Sequence, residues 1–255
     1  MDFCFLGTSG AVLTEGETTT SLLFRSEIFN VMIDCPGNAV SILQQIGCSP
    51  LDLDGIILTH AHPDHINGLP FFIQNLLLLD RKKKLFLIAN SYTMNKVKSL
   101  LQLFNLQNNL PFEVIYLSQE SGFAKSFGKM AVELVPVSHS VPTAGVLIRN
   151  DDYKLFYTAD TGPIPDTIKA LAPLNTLIHE ASGLVEDERT VNSFGHSSGR
   201  QAAQAASQID VEKLFLCHFD YRIDDVIAKT VREAEVNTEQ QIIVPERLKF
   251  YSCNN

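Results

Sequence analysis

The chain has no excess of positive charge. Twenty Lys and Arg stand against 29 Asp and Glu, for a formal net charge of −9. General, charge-driven binding of long nucleic acid is thereby disfavoured, since that affinity comes from cations neutralising phosphates. Cysteine is sparse: Cys4, Cys35, Cys48, Cys217 and Cys253 are odd in number and show no paired metal spacing. They read as reduced thiols, which predicts an intracellular, cytoplasmic protein. No basic region followed by a long apolar stretch opens the chain, so no signal peptide is expected. The apolar run Leu76 to Leu79 follows Gln74 and Asn75 and is far too short to span a membrane. No Pro-, Ser- or Gly-rich linker, low-complexity tract or short repeat interrupts the 255 residues, of which 45% are hydrophobic. One domain over 1–255 with a sizeable core is expected.

What is present is concentrated in Gly55 to Pro70, GIILTHAHPDHINGLP. Ile56 to Leu58 reads as a buried strand, and a helical run opens at Ile66. The turn between them carries His60, His62, Asp64 and His65. A strand sends alternate side chains to opposite faces, so it cannot aim four ligands at one point. A strand-to-helix turn can. His60 and His62 share one face and can hold one ion; Asp64 and His65, past Pro63, can reach a second. Imidazole and carboxylate without thiolate suit zinc, with iron, manganese or cobalt as alternatives.

Further candidates recur at strand ends. Asp2 to Leu6 reads as a first strand, and the turn Gly7-Thr8-Ser9-Gly10 has no following Lys-Ser or Lys-Thr, so it is not a nucleotide P-loop. Ser21 to Arg25 and Phe29 to Asp34 read as a hairpin, Ala39 to Ile46 as a helix. Beyond the histidine turn, helices are expected at Phe71 to Leu79 and Asn95 to Phe104, strands at Lys84 to Ala89 and Glu113 to Leu117. A second half opens near Met130. Met130 to Val137 ends at His139, Lys154 to Ala159 at Asp160, Thr176 to Ile178 at His179-Glu180, and Val211 to Cys217 at His218. Gly145 to Arg149 pairs with Lys154 to Ala159 around the turn 150–152. Arg81 to Lys84 is a local basic cluster, either a solvated loop or a contact for nucleic acid.

The HxHxDH string resembles the signature of the metallo-β-lactamase superfamily. That resemblance implies an α/β fold, a four-layer αββα sandwich of two similar halves (about 1–125 and 126–255), with metals at one edge. It implies two divalent ions, with zinc first and manganese or iron as alternatives. His60, His62 and His139 would hold one ion, Asp64, His65 and His218 the other, and Asp160 would bridge. Histidine at position 62, where oxygen-reducing di-iron relatives carry a carboxylate, looks like a hydrolase. Asp160 supplies the bridge that zinc β-lactamases generally lack.

FLGTSG, SLLF and IDCPGN before the histidine turn look like the opening of ribonuclease Z and its phosphodiesterase relatives. There the aspartate matching Asp34 supports the metal loop; a plain turn aspartate is the alternative. HEAS at 179–182 resembles that branch's HEAT, and HSSGRQAA at 196–203 its HSTAxQAA, with Ser197 or Ser198 capping a helix. A metal site solves the nucleophile problem but leaves an alkoxide needing a proton. His196 is the expected general acid and Glu180 its orienting partner, so the catalytic set is Asp64, Glu180 and His196. His179 reads as structural.

The expected activity is hydrolysis of a phosphodiester by a metal-bridging hydroxide, on a cyclic nucleotide, cyclic phosphate or short RNA. The alternatives are a ribonuclease Z-type tRNA 3′ endonuclease, a lactonase or thioesterase of the same fold, or a non-catalytic metal-bound scaffold. The expected partners are a small phosphodiester or short RNA and no membrane, with a homodimer allowed. Two departures bear on substrate. Asp220 replaces the branch's serine after the last ligand, where it could repel a polyanion or pair with Arg222. The branch's tRNA-gripping arm lies between the ligands matching His139 and Asp160, and here Ser140 to Ala159 leaves no room for it.

Overall fold

The structure is a computed structural model describing residues 1–108, 110–118 and 124–253. The chain divides into two compact units. The first comprises Met1–Gly7, Thr18–Glu120 and Glu246–Asn255; the second comprises Thr8–Glu17 and Ser121–Pro245.

In the first unit, β1 (Asp2–Gly7), β2 (Ser21–Arg25), β3 (Val31–Ile33), β4 (Gly55–Leu58), β5 (Leu85–Ala89) and β6 (Val114–Ser118) are joined by β14 (Phe250–Ser252). They form a seven-stranded sheet ordered β14-β1-β2-β3-β4-β5-β6. Pairing is antiparallel from β14 to β3 and parallel from β3 to β6. In the second unit, β7 (Ala124–Phe127), β8 (Met130–Val137), β9 (Thr143–Arg149), β10 (Lys154–Tyr157), β11 (Leu174–Glu180), β12 (Val211–Cys217) and β13 (Gln241–Ile243) form a sheet ordered β13-β12-β11-β10-β9-β8-β7. It too is half parallel, from β10 to β13, and half antiparallel.

This topology places the chemistry. Parallel strands end on one side of a sheet, the usual place for a ligand crevice. The ends of β3 and β4 therefore bring Asp34 and the histidine turn to one sheet edge. The ends of β10, β11 and β12 do the same for Asp160, Glu180 and His218. β8 runs antiparallel to β9, which runs antiparallel to β10, so His139 emerges at that edge as well.

Helices α1 (Ala39–Gln45), α2 (Pro63–Ile66), α3 (Leu69–Leu78) and α4 (Ser91–Leu103) belong to the first unit. Its core buries Leu23, Met32, Ile42, Ile56, Phe72, Ile73 and Leu101. The second unit has α5 (Pro165–Leu171), α6 (Glu188–Ser193), α7 (Gly199–Ser207) and α8 (Val226–Glu235). There Ala202, Ala203, Ala205 and Ala206 on α7 bury against the sheet side chains Leu177, Leu214 and Leu216. Among the described residues, no helix is long and apolar enough to cross a membrane.

The α/β class and the alternation of strands match expectation; several boundaries do not. Helical structure begins at Pro63, not Ile66, because proline favours the first helical position. It then breaks at Asn67-Gly68, where a Cβ on Gly68 would lie 2.0 Å from the carbonyl oxygen of Pro36. α4 starts four residues before Asn95, capped by the Asn90 side chain accepting from the Thr93 amide. β10 ends at Tyr157, leaving Thr158 and Ala159 outside it, and β11 extends through His179 and Glu180. Ser198, not Ser197, caps α7, in a capping box with Gln201. The short elements β7, α5, α6, β13 and β14 carry patterns too weak to be predicted, whereas α8, ten residues long and clearly amphipathic, is a helix the sequence reading does not include.

Arg81 corrects the reading of the basic cluster as solvated throughout. It is 2% exposed, and its guanidinium donates to four backbone carbonyls, of Leu51, Leu53, Lys83 and Lys84, at 2.6–3.0 Å. Burial lowers its affinity for its proton, with Asp54 and Asp52 opposing. Lys82 and Lys83 are exposed and pair with Asp80 and Asp54. Arg81→Ala leaves those carbonyls unsatisfied in the interior and should destabilise the fold by about 3 kcal/mol in urea unfolding. Lys82→Ala and Lys84→Ala should each stay within about 0.5 kcal/mol of wild type.

Candidate metal centre

In the first unit the site is built around Asp34. The residue is 0% exposed and sits in the left-handed region at φ 59°, as the chain turns out of β3. Non-glycine residues are uncommon there, and the turn aims the carboxylate back over the end of β4. Asp34 Oδ1 accepts from the Thr59 amide at 2.9 Å, and the Thr59 hydroxyl lies 2.9–3.0 Å from both carboxylate oxygens. Oδ2 is 2.7 Å from His65 Nδ1, and the Thr59 hydroxyl is 3.0 Å from His60 Nδ1. A hydroxyl has one proton, so the consistent arrangement has Thr59 donating to Asp34 and accepting from His60. One carboxylate thus orients two imidazoles, one directly and one through Thr59. Burial raises the Asp34 pKa, with His65 and Thr59 opposing.

The loop bearing Asp34 is tied to α2 by the Cys35 amide donating to the His65 carbonyl (2.8 Å) and the Gly68 amide to the Cys35 carbonyl (3.0 Å). The expected ligands gather there. His60 Nε2 and His62 Nδ1 are 3.1 Å apart, Asp64 Oδ2 and His65 Nε2 3.2 Å, and the His60 and His65 rings 4.0 Å between centroids.

In the second unit a buried glutamate plays the corresponding part. Glu180, 0% exposed, accepts at Oε1 from the Thr161 amide (2.8 Å) and lies 2.8 Å from His196 Nδ1. Its Oε2 accepts from the Ser182 hydroxyl at 2.7 Å and the Ser182 amide at 3.2 Å. Ser182 Oγ is also 2.8 Å from His218 Nδ1. By the same proton count, Ser182 donates to Glu180 and accepts from His218. His218 sits at φ 61°, and its Nε2 is 3.2 Å from Asp160 Oδ2. Ala159, at φ 55°, turns the chain before Asp160. His139 Nδ1 is 2.7 Å from the Gly195 carbonyl, and its Nε2 is 3.9 Å from Asp160 Oδ2. Gly195 (φ 78°) has to be glycine, since a Cβ there would lie 2.7 Å from His139 Cα.

Charge in this unit follows from burial and pairing. Burial alone would push Glu180 up, but His196 and His218 hold it below the usual carboxylate range. Burial alone would lower His196, but the Glu180 charge and hydrogen bond raise it above an ordinary histidine. His179 is buried, which lowers its pKa, and its Nδ1 lies 2.7 Å from the Glu180 carbonyl, a structural role as expected. Asp220 pairs with Arg222 at 2.5–3.0 Å, which settles the alternative left open by the sequence.

The donor sets fit divalent metal. His60, His65, His139 and His218 are each engaged at Nδ1 by an oxygen, from Thr59, Asp34, Gly195 and Ser182, which directs Nε2 toward the neighbouring donors. Metal-ligating histidines are commonly held in this way. The first unit brings together His60, His62, Asp64 and His65; the second brings together His139, Asp160 and His218 beside Glu180 and His196. Sequence reasoning missed Thr59, Ser182 and Gly195. Ser182 had a signal, its place as the last residue of HEAS; Thr59 had only its adjacency to His60.

The family model described as the beta-lactamase superfamily domain matches residues 30–219. A ribonuclease Z from Sulfolobus acidocaldarius is 25% identical, covering 98% of each chain. That alignment runs over 290 positions against the 255 residues here, so the relative carries insertions this chain does not have. Among solved structures, the metallo-beta-lactamase fold protein YhfI from Bacillus subtilis superposes with a TM-score of 0.83 at 20% identity, over 98% of each chain. Human tRNase Z, short form, superposes with a TM-score of 0.81 at 20% identity, over the whole of each chain. The buried carboxylates, the histidines at strand ends and the match over 30–219 agree: the chain belongs to the metallo-β-lactamase superfamily.

Proposed function

We propose that this protein is a metal-dependent phosphodiesterase in which the donor sets of the two units serve one dinuclear centre. His60, His62 and His139 would hold one ion and Asp64, His65 and His218 the other, with Asp160 available to both. The observation that carries the reading is the Glu180–His196 pair beside the ligand His218. A thioesterase releases a thiolate, which leaves without such an acid, whereas a phosphodiester releases an alkoxide that needs the proton His196 can give. Two divalent ions, zinc foremost, supply when bound a water acidified to near neutral pKa and positive charge for the attacked phosphoryl group.

The chain's own residues do the rest. Asp34, Thr59, Gly195 and Ser182 fix the ligand imidazoles. Glu180 raises the His196 pKa above that of an ordinary histidine and aims the ring. As water oxygen bonds to phosphorus, the ester P–O bond breaks and the leaving oxygen takes the His196 proton. The imidazole is then reprotonated from solvent.

The geometry favours a small substrate. Between His139 and Asp160 the chain is spent on β9, β10 and their turn, where Asn150 Oδ1 accepts from the Asp152 and Tyr153 amides, so no arm projects there. The basic cluster is a poor substitute, with Arg81 committed to backbone carbonyls. A second reading, 3′ processing of tRNA, is favoured by the relatives named ribonuclease Z. The odd number of cysteines, with no paired spacing, fits a reducing cytoplasm.

Three outcomes are expected. Asp160→Ala should lose bound metal and activity together, and two full metal equivalents by elemental analysis would refute the bridging role. His196→Ala should keep its metal but lose roughly 10²–10⁴-fold in kcat on esters with poor leaving groups. A nitrophenyl ester should suffer much less; equal losses would remove His196 as the acid. Finally, kcat/KM should be high for cyclic nucleotides or other small phosphodiesters and low for precursor tRNA at physiological salt. Accurate tRNA 3′ cleavage, weakened by neutralising Lys82 to Lys84, would select the second reading.

A further inference from the structure

Within the second unit, a cavity of about 540 Å³ opens directly over His196 and His218. Its size falls in the range that encloses one small ligand. We propose that this cavity receives the leaving group of a linear phosphodiester, and that this leaving group is a single uncharged nucleoside. The proposal rests on His196 as the proton donor, since the oxygen it protonates has to enter the space that His196 lines.

The walls define the ligand's chemistry. Val12, Val191, Phe194 and Ile223 form an apolar surface. Phe194 is 63% exposed although it lines the cavity, so its ring is available for a base to stack on. Thr190 and Asp187 add polar atoms that can bond to a base edge or ribose hydroxyls. Charge sets the limit. The wall holds two carboxylates, Asp187 and Asp220; of its cationic side chains, Arg222 is bound to Asp220 and His196 is hydrogen-bonded to Glu180, so neither offsets Asp187. A second phosphate on the leaving side would meet an uncompensated carboxylate. An RNA strand continuing past the scissile bond carries such a phosphate; a lone nucleoside does not.

The wall is also pre-formed. α6 carries Thr190 and Val191, and Glu188 at its start accepts from the Ser198 hydroxyl (2.5 Å) and is bound to Arg200, both at the head of α7. Gly183 admits Val191 closely, since a Cβ there would lie 2.4 Å from a Val191 methyl. A site held rigid before binding spends less of its contact energy on ordering.

The first test is direct binding. Adenosine titrated calorimetrically into metal-stripped and metal-reconstituted protein should bind both, and Phe194→Ala should weaken it about tenfold or more. Absence of binding to wild type, or equal binding by the variant, would overturn the proposal. The second test is kinetic. A dinucleoside monophosphate whose second nucleoside leaves through its 5′ oxygen should exceed, by roughly two- to fivefold in kcat/KM, the same compound bearing a 3′-phosphate on that nucleoside. Asp187→Asn should narrow that ratio, and equal turnover of both substrates by wild type would refute the charge argument. Hydrolysis of bis(p-nitrophenyl) phosphate separates the two levels. Turnover of that ester without adenosine binding rejects the cavity proposal alone. Adenosine binding without turnover leaves a nucleoside site and rejects the hydrolase reading.

Discussion

A buried carboxylate that grips an imidazole through a neighbouring hydroxyl is the constraint on which the donor set of each unit depends. In the first unit the chain runs Asp34, Thr59, His60; in the second it runs Glu180, Ser182, His218. Each carboxylate also takes a second imidazole directly, His65 in one case and His196 in the other. The device answers a physical difficulty. A carboxylate without water has to be met by donors, and an imidazole meant for metal has to present one chosen nitrogen. Joining the two needs solves both at once. The units differ in the part proposed for the direct imidazole, His65 as a ligand and His196 as the acid beside the proposed ligands.

The sheets make these pairings reachable. Parallel strand ends place the groups on one edge, and the backbone then leaves the sheet through left-handed residues at Asp34, Ala159 and His218. Such conformations cost on the order of 1 kcal/mol or more each at non-glycine residues, and they concentrate where function constrains the chain. Among the described residues, three of the seven non-glycine cases fall at a supporting carboxylate, next to a proposed bridge, and at a proposed ligand; Asp80, Asn105, Asp225 and Leu248 lie elsewhere. Gly195 and Gly68 serve the same end from the other side, admitting backbone where a side chain would collide.

Much of this was legible in the sequence because ligands are chemically conspicuous. Three histidines and an aspartate in six positions have few bland explanations, and the strands before His139 and His218 are strongly apolar. The Thr59 hydroxyl was not legible, since threonine at a strand end is ordinary and only its partners give it meaning, and Ser182 was marked only by its place in HEAS. Arg81 misled for a related reason. Four consecutive basic residues look like one surface feature, but burial of the first depends on carbonyls contributed by Leu51 and Leu53, far away in sequence. Asp220 was ambiguous until its fork-like pairing with Arg222 was seen. The short helices of the second unit were lost to weak periodicity, and with them the cavity wall built on α6.

The interleaving of the two units governs the order in which the protein can be made. β1 pairs on one side with β2, but its other edge is closed only by β14, through Asp2↔Ser252 and Phe3↔Tyr251. During synthesis the first strand to emerge therefore waits for nearly the last. Throughout that interval β1 presents an open edge, a template for pairing with other nascent chains. Non-local closure of this kind is slow. The first unit's sheet, which carries the histidine turn, stays incomplete until the whole second unit has been translated.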